Sequence, residues 1–332
     1  MPVKPRAMRD GLLDKIHQAM ASDPSIFFAS ADFGSPVLDR IRADYPDQFI
    51  NVGIAEQNLI NISAGLALEG HKVFAYAIAP FITMRCFEQI RVSLALLSMV
   101  RPMNVNLIGV GAGYSYVMSG PTHQCYEDIT LMRSMPNFQV MSPADHITAE
   151  ALFGRCIEQV GPKYLRLDAQ VLPVIYADAA PNIADGFGVH RRHGAICLVA
   201  TGYMLHTALT VADRLKASGV NVGVIDLFDL TRFSAKSLRD ELQPYQAIVS
   251  MEEGFSGRGG LDALLYNFIA HNELNIPLQN IGVEGGYRFD LGTRAELHER
   301  AGIGPDVVSK RLLDFSRQLV ATKKTVKHGL AR

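Results

Sequence analysis

The stretch Asn51-Val52-Gly53-Ile54-Ala55-Glu56-Gln57-Asn58 indicates both the fold and the chemistry of this chain. A turn of small residues here delivers one carboxylate to the start of an apolar helix that runs to Leu68. Taken alone, Glu56 could be an ordinary first-turn acid, because the helix dipole and the unpaired N–H groups favour negative charge there. Two further segments favour a functional role for Glu56. They are a polar segment, Gly120-Pro121-Thr122-His123-Gln124, and an aromatic segment from Phe81 to Phe87.

Outward from this stretch, apolar segments alternate between strand and helix patterns. Strands are predicted at 26–30, 72–78, 104–110, 163–167, 195–202, 220–228, 247–251 and 278–283, and helices at 9–20, 57–68, 88–99, 146–159, 208–215 and 260–270. Near-continuous apolar strands separated by helices indicate parallel sheets covered on both faces. The Pro- and Gly-containing stretch 172–186 is typical of a linker. We therefore expect two tandem doubly wound α/β domains, at 1–178 and 187–320, followed by a disordered tail at 321–332.

The bulk composition excludes several classes of protein. The chain has 332 residues, which favours two domains, and 32 basic against 33 acidic residues leave a formal charge of -1. This balance gives no support for nucleic-acid or membrane-surface binding, and no segment reaches the roughly 18 apolar residues of a membrane span. The cysteines are scattered without a CxxC pair, so neither a zinc site nor a disulfide framework is indicated. Because the N-terminus lacks an apolar signal core, we expect a cytoplasmic protein.

Five segments together resemble the C-terminal half of transketolase, a pyrimidine-binding domain followed by a C-terminal domain. The segments are Ser30-Ala31-Asp32, Asn51 to Asn58, Phe87-Glu88-Gln89-Ile90-Arg91, Gly120 to Gln124, and Glu252-Glu253-Gly254 before the glycine-rich run 257–260. Each is modest alone, but their order and separation are specific. The resemblance covers the chain from about Arg9 to about Leu319 and implies that the cofactor is thiamine diphosphate.

The resemblance assigns the aminopyrimidine ring of that cofactor to a glutamate and an aromatic side chain. In the family, the glutamate at the position of Glu56 hydrogen-bonds a ring nitrogen, which helps to deprotonate the reactive carbon. Phe81 is expected to stack on the ring, although a core position at a strand end is the alternative. The spacing from Phe81 to Glu88 is one residue longer than in related sequences, so Phe87 or Tyr76 could share the stacking role.

The resemblance also implies which residues meet the substrate. His123 would face the reactive carbon, where an imidazole can carry a proton to or from the sugar's oxygens. Arg166 matches an arginine that holds a phosphate, since a guanidinium fork suits phosphate oxygens. Arg9 and Ser35 match weaker positions with the same duty.

Two positions in the loop before His123 depart from the family. Ser119 stands where transketolases carry an acid that grips a donor hydroxyl, and Gly111 stands where they carry a histidine. The intervening segment 114–118 is bulkier and more apolar than the family's glycine-rich run. We therefore expect the substrate to be a modified or unusual ketose.

The family's element for magnesium and the diphosphate, a G-D-G followed by an Asn pair, does not occur in this sequence. We therefore expect no metal ligand in this chain, and a separate N-terminal transketolase subunit that holds the diphosphate and Mg²⁺. Symmetry then favours an α2β2 heterotetramer. The predicted activity is transfer of a two-carbon ketol unit from an anionic ketose to an aldose. Two alternatives remain: a β-type subunit of a 2-oxo acid dehydrogenase, whose pattern lacks the G-P-T-H-Q loop, and a non-catalytic scaffold subunit.

Overall fold

The structure, a computed structural model, describes residues 3–329, with side chains described as far as 319. The strands are β1 Ile26–Ser30, β2 Phe49–Asn51, β3 Lys72–Ile78, β4 Asn104–Val110, β5 Gln139–Met141, β6 Gly161–Leu167, β7 Phe187–Arg191, β8 Ile196–Ala200, β9 Val222–Leu227, β10 Ala247–Phe255 and β11 Leu278–Val283. The helices are α1 Met8–Met20, α2 Pro36–Asp44, α3 Glu56–Leu68, α4 Phe87–Gln89, α5 Asp128–Arg133, α6 His146–Ala151, α7 Phe153–Glu158, α8 Met204–Ala217, α9 Ala235–Leu242, α10 Leu261–His271, α11 Arg294–Arg300 and α12 Pro305–Gly329.

The first six strands form one parallel sheet in the order β2-β1-β3-β4-β6-β5. The carboxyl ends of its neighbouring strands lie along one edge, and ligands in open α/β sheets bind outside such an edge. The segment that carries Glu56 follows β2, the aromatic segment follows β3, and the loop that carries His123 follows β4. The topology therefore gathers all three predicted site segments at one edge.

The second sheet has the order β11-β10-β8-β9-β7 and is parallel except for β7, which runs antiparallel to β9. The expected fold class, two tandem doubly wound α/β domains, is confirmed. The side chains of α12 are described only as far as 319, so the expected disordered tail at 321–332 lies outside the described side chains. Among the described residues, no helix is both long and apolar enough to cross a membrane.

Alternation along the strands divides the buried residues between the two faces of the first sheet. In β3, Val73 and Ala75 belong to one hydrophobic cluster, and Phe74 and Tyr76 to another on the opposite face. Successive strand residues point to opposite faces, so each strand is apolar throughout. The first of these clusters continues into the second domain, where it includes residues of α9 and α10. The two domains therefore share apolar packing.

Between β3 and β4 the chain forms an irregular helical segment. It begins with a π-helix at Phe81–Arg85, passes through α4, and continues as a second π-helix at Ile90–Leu96. A π-turn accommodates one more residue than an α-turn, and such turns are frequent at functional sites. The extra residue noted between Phe81 and Glu88 thus coincides with a π-helix.

Candidate active site

Glu56 is the first residue of α3 and is buried, with 3% of its surface exposed. The turn before it is fixed by Asn51, whose Oδ1 accepts a 2.9 Å hydrogen bond from the N–H of Gly53, a glycine with φ of 71°. The Glu56 Oε2 atom accepts a 2.7 Å hydrogen bond from Nη1 of Arg85. A buried carboxylate is costly unless it is paired, so this contact offsets its desolvation.

Phe81 lies at the start of the π-helix and is half-buried. The guanidinium carbon of Arg85 lies 4.3 Å from the centre of the Phe81 ring, in cation–π geometry. The same ring meets the His123 imidazole edge-on, with 5.2 Å between centroids. Phe81 thus connects the Glu56–Arg85 pair to His123.

His123 lies in a loop whose base is closed by paired backbone hydrogen bonds of 3.0 Å between Gly113 and Cys125. The imidazole is half-buried, and its Nδ1 atom lies 3.0 Å from the hydroxyl of Thr122. Among the described residues, the Thr122 hydroxyl is the hydrogen-bond partner of this ring, and none is given for its Nε2 atom. The structure therefore brings three of the predicted site residues, Glu56, Phe81 and His123, into one cluster.

Tyr116 also faces this cluster, and sequence reasoning did not single it out. Its ring centroid lies 6.3 Å from that of His123. A Cβ atom on Gly111, whose φ is 108°, would lie 2.1 Å from the Tyr116 ring. The ring therefore fills the space that a side chain at position 111 would need, and the two positions are coupled. The unusual bulk of the segment 114–118 was the available signal.

Burial raises the pKa of the Tyr116 phenol to about 12, against the opposing effect of the Arg9 charge. Arg9 also forms a 2.9 Å ion pair with Asp10. The charge of Arg9 lowers the pKa of the Tyr76 phenol as well as that of Tyr116, against the effect of burial on both. Arg85 was likewise not predicted, although it lies within the aromatic run that the sequence highlighted.

Tyr76 and Phe87, the other two aromatic candidates, lie elsewhere. Tyr76 is fully buried within the sheet's opposite face, where it stacks on Phe33 with 5.3 Å between centroids. Burial raises the pKa of its phenol well above the usual range. Phe87 packs against the other apolar cluster. Neither ring contacts His123 among the described contacts, so Phe81 is the one of the three predicted aromatic residues that does.

Arg166, the predicted phosphate ligand, is 2% exposed and forms a buried ion pair with Asp128 at 2.8 Å. Burial lowers the pKa of its guanidinium, but the Asp128 charge outweighs this and raises it. A second weak contact reaches the carbonyl oxygen of Cys125 at 3.4 Å. Arg166 therefore stabilises the start of α5 and the base of the loop, and its guanidinium is not open to solvent.

The two remaining predicted substrate residues differ in exposure. Ser35 is buried and caps α2, where its Oγ atom accepts a 3.1 Å hydrogen bond from the N–H of Leu38. Ser119 is exposed at the tip of the loop that carries His123. Neither contacts the cluster in the described contacts.

The geometry fits a flat nitrogen heterocycle. The planar, cationic guanidinium of Arg85 already lies on the Phe81 ring and donates a hydrogen bond to Glu56. An aminopyrimidine could make the same two contacts, stacking on the ring and pairing with the carboxylate. Within residues 3–319, no group of three or more His, Cys, Asp or Glu side chains could hold a metal ion.

Comparison with known proteins identifies the two domains. Family models match residues 4–174 as "Transketolase, pyrimidine binding domain" and residues 187–309 as "Transketolase, C-terminal domain". The chain is 32% identical over 266 residues to an apulose-4-phosphate transketolase subunit of Actinobacillus succinogenes, covering 80% of this chain and 84% of that protein. It is 27% identical to the 6-deoxy-6-sulfo-D-fructose transketolase subunit SqwH of Clostridium sp. (strain MSTE9), covering 89% and 90%.

Among solved structures, the chain is similar to one described as "Split gene transketolase, inactive beta4 tetramer". The TM-score is 0.80 at 29% sequence identity, and the match covers 94% of this chain and 98% of that chain. The matches extend over both domains and share their order. This chain therefore belongs to the transketolase family, of which it carries the pyrimidine-binding and C-terminal domains.

Proposed function

We propose that this chain is the C-terminal subunit of a split thiamine-diphosphate-dependent transketolase. It would transfer a two-carbon ketol unit from a ketose to an aldose together with a separate subunit that holds the diphosphate and Mg²⁺. The observation that carries this proposal is the cluster of Glu56, Phe81 and His123 at the carboxyl edge of the first sheet. The relatives that are named as single subunits of a transketolase support the division between two chains.

Each residue of the cluster has a chemical task in this reaction. Thiamine diphosphate, when bound, supplies a nucleophilic carbon for attack on the ketose carbonyl. The Glu56 carboxylate would hold and share the proton at the pyrimidine nitrogen, and its burial strengthens this hydrogen bond. Phe81 would orient the ring by stacking. His123 would move a proton to or from the hydroxyl and carbonyl oxygens of the sugar.

An exposed apolar surface beside this cluster is proposed to receive the diphosphate-binding subunit. It comprises Ile54, Val92, Leu96, Met99 and Val100, all of them exposed. Ile54 lies two residues before Glu56, and a 3.1 Å hydrogen bond from Ser93 to Asn61 ties the helical segment to α3. Several exposed apolar side chains on neighbouring segments are typical of an interaction site. Because these side chains lie on the two segments that carry Glu56 and Phe81, the subunit that completes the site is their expected occupant, in an α2β2 assembly.

The substrate is proposed to be an unusual anionic ketose. The relatives are named for apulose 4-phosphate and for 6-deoxy-6-sulfo-D-fructose, both of which carry an anionic group. Arg9, whose charge acts on the Tyr116 phenol, is the cation proposed to meet that group, with Ser35 and Ser119 as weaker candidates. The phosphate role predicted for Arg166 is not supported by its buried pairing with Asp128.

All four cysteines are free and buried, which supports a reducing compartment such as the cytoplasm.

The decisive experiment reconstitutes this chain with its copurified partner and screens ketoses with thiamine diphosphate and Mg²⁺. The screen includes apulose 4-phosphate, 6-deoxy-6-sulfofructose and xylulose 5-phosphate, each with an aldose acceptor. Glu56→Gln should lower ketol transfer by about 100-fold or more. Glu88→Gln is the matched control, since Glu88 is an exposed acid of the neighbouring segment. Oxidative decarboxylation with a lipoyl acceptor, or activity that survives Glu56→Gln, would contradict the proposal.

A further inference from the structure

A buried network between the two domains ends at the base of the loop that carries His123. Glu253, on β10 of the second domain, is 1% exposed. Arg294 donates to both of its carboxylate oxygens, with Nη2–Oε2 at 2.7 Å and Nη2–Oε1 at 2.9 Å. The Nε2 atom of His298 lies 2.7 Å from the Oε1 atom of Glu253. A fully buried carboxylate thus receives a bidentate guanidinium and an imidazole, which fixes its position.

The same carboxylate meets the loop directly. Its Oε1 atom accepts a 3.3 Å hydrogen bond from the backbone N–H of Tyr114. A Cβ atom on Gly113, whose φ is 53°, would lie 2.3 Å from the Glu253 Oε2 atom. Gly113 in turn forms the closing hydrogen bonds with Cys125, two residues beyond His123. The second domain therefore contacts the loop at its closing pair.

The first domain holds the other side of the loop base. The Nη1 atom of Arg294 lies 2.6 Å from the Oδ2 atom of Asp168. The guanidinium carbon of Arg294 lies 3.5 Å from the centre of the Tyr203 ring. Asp168 accepts a 2.8 Å hydrogen bond from the N–H of Gln170, whose side chain donates to the carbonyl oxygen of Ser115 at 3.0 Å. The Arg294 guanidinium thus pairs with both Glu253 and Asp168. Glu253 bonds to the backbone of Tyr114, and Asp168 is connected through Gln170 to the backbone of Ser115.

We propose that Glu253 is a positioning residue for catalysis, which fixes the loop at Gly113 and Tyr114 and thereby holds His123 opposite Phe81. This inference rests on the proposed role of His123 in ketol transfer. It gives the C-terminal domain, which contributes no residue to the cluster itself, a task in the reaction. Burial favours the neutral acid, but the Arg294 charge and the His298 hydrogen bond hold the Glu253 pKa well below its usual range. Glu253 is therefore a fixed anion.

The test compares Glu253→Gln with Asp229→Asn in the reconstituted complex. Asp229 is also a buried acid of the second domain and pairs with Arg155 of the first, but it does not contact the loop. Glu253→Gln should lower kcat by about 10- to 100-fold, the effect of a small misplacement at a reacting centre, with KM for the ketose and thiamine diphosphate binding little changed. Asp229→Asn should keep kcat even where its thermal stability falls by a similar amount.

Hydrogen exchange on the full chain provides a measurement that does not depend on turnover. The amides of 113–125 should exchange about tenfold faster in Glu253→Gln and remain unchanged in Asp229→Asn. If Glu253→Gln does not fold, Gln170→Ala at a half-buried position should give smaller changes in the same direction. Equal kcat losses in both acid variants, or unchanged exchange of the loop, would overturn the inference. Absence of ketol transfer by the wild-type pair would instead refute the proposed function. Hydrogen exchange would then still show whether Glu253 fixes the loop.

Discussion

Replacing Arg166 by Met tests whether this arginine serves the fold or the substrate. Its partner Asp128 has no exposed surface, and Oδ2 of that acid accepts 2.8 Å hydrogen bonds from both Arg166 and Tyr164. Removing one member of a buried ion pair leaves an uncompensated charge and costs about 3–5 kcal/mol. At roughly 2–4 °C per kcal/mol for domains of this size, the melting midpoint should fall by about 6–20 °C.

The assay is thermal unfolding followed by circular dichroism, beside ketol-transfer kinetics of the reconstituted pair. The double variant Arg166→Met with Asp128→Asn is the matched control, because it removes both charges and keeps an acceptor for Tyr164. It should recover part of the lost stability, so that the two substitutions are not additive. If Arg166→Met keeps the wild-type midpoint and only raises KM for phosphorylated ketoses, the guanidinium reaches the substrate and the reasoning from burial is refuted.

Three further variants test single features of the structure. Burial raises the pKa of Glu252 from 4.5 to about 7, so the folded chain holds a proton between these pH values that the unfolded chain releases. The free energy of unfolding of the wild type should therefore fall by about 3 kcal/mol in total as pH rises through that window. Urea unfolding at pH 5 and pH 8 should show that Glu252→Gln loses this dependence on pH. If the wild type and Glu252→Gln change equally between the two pH values, the reasoning is wrong. Gly111→Ala should cost about 2–6 kcal/mol, because the added methyl meets the Tyr116 ring and an alanine is strained at the φ of 108° that Gly111 adopts; the double variant with Tyr116→Ala should recover only the part due to the ring in the same denaturation assay. Tyr116→Ala alone should broaden the range of ketose donors, measured as kcat/KM across the screen; an unchanged ranking of donors would show that this ring does not shape the substrate site.

Sequence patterns located the long buried strands well. The predicted strands at 26–30, 72–78 and 104–110 match β1, β3 and β4, because strands inside a parallel sheet are buried on both faces and therefore mostly apolar. The predicted strand at 278–283 matches β11, which lies at the edge of the second sheet. The short elements were missed. β2 and β5 have only three residues each, and β7 is an antiparallel strand at the sheet's edge. Such segments carry too little periodicity to be recognised, and pairing with a neighbouring strand determines them.

The sequence alone determined the elements that carry the predicted site residues, and its resemblance to transketolase singled out three of those residues. Glu56, Phe81 and His123 each follow a strand at the same edge of the first sheet, and the order of strands brings them together. The turns that present them depend on local residues such as Gly53, so a linear pattern was sufficient.

The tertiary structure alone decided which charged and aromatic side chains are available for chemistry. Arg166 resembled a phosphate ligand in the linear pattern, but Asp128, 38 residues away in sequence, takes its guanidinium in the interior. The Tyr116 ring lies beside His123 because Gly111 leaves space for it. Glu253 contacts the loop from the second domain. The free energy of a buried charge or ring depends on the partners that packing supplies, and those partners are distant in sequence.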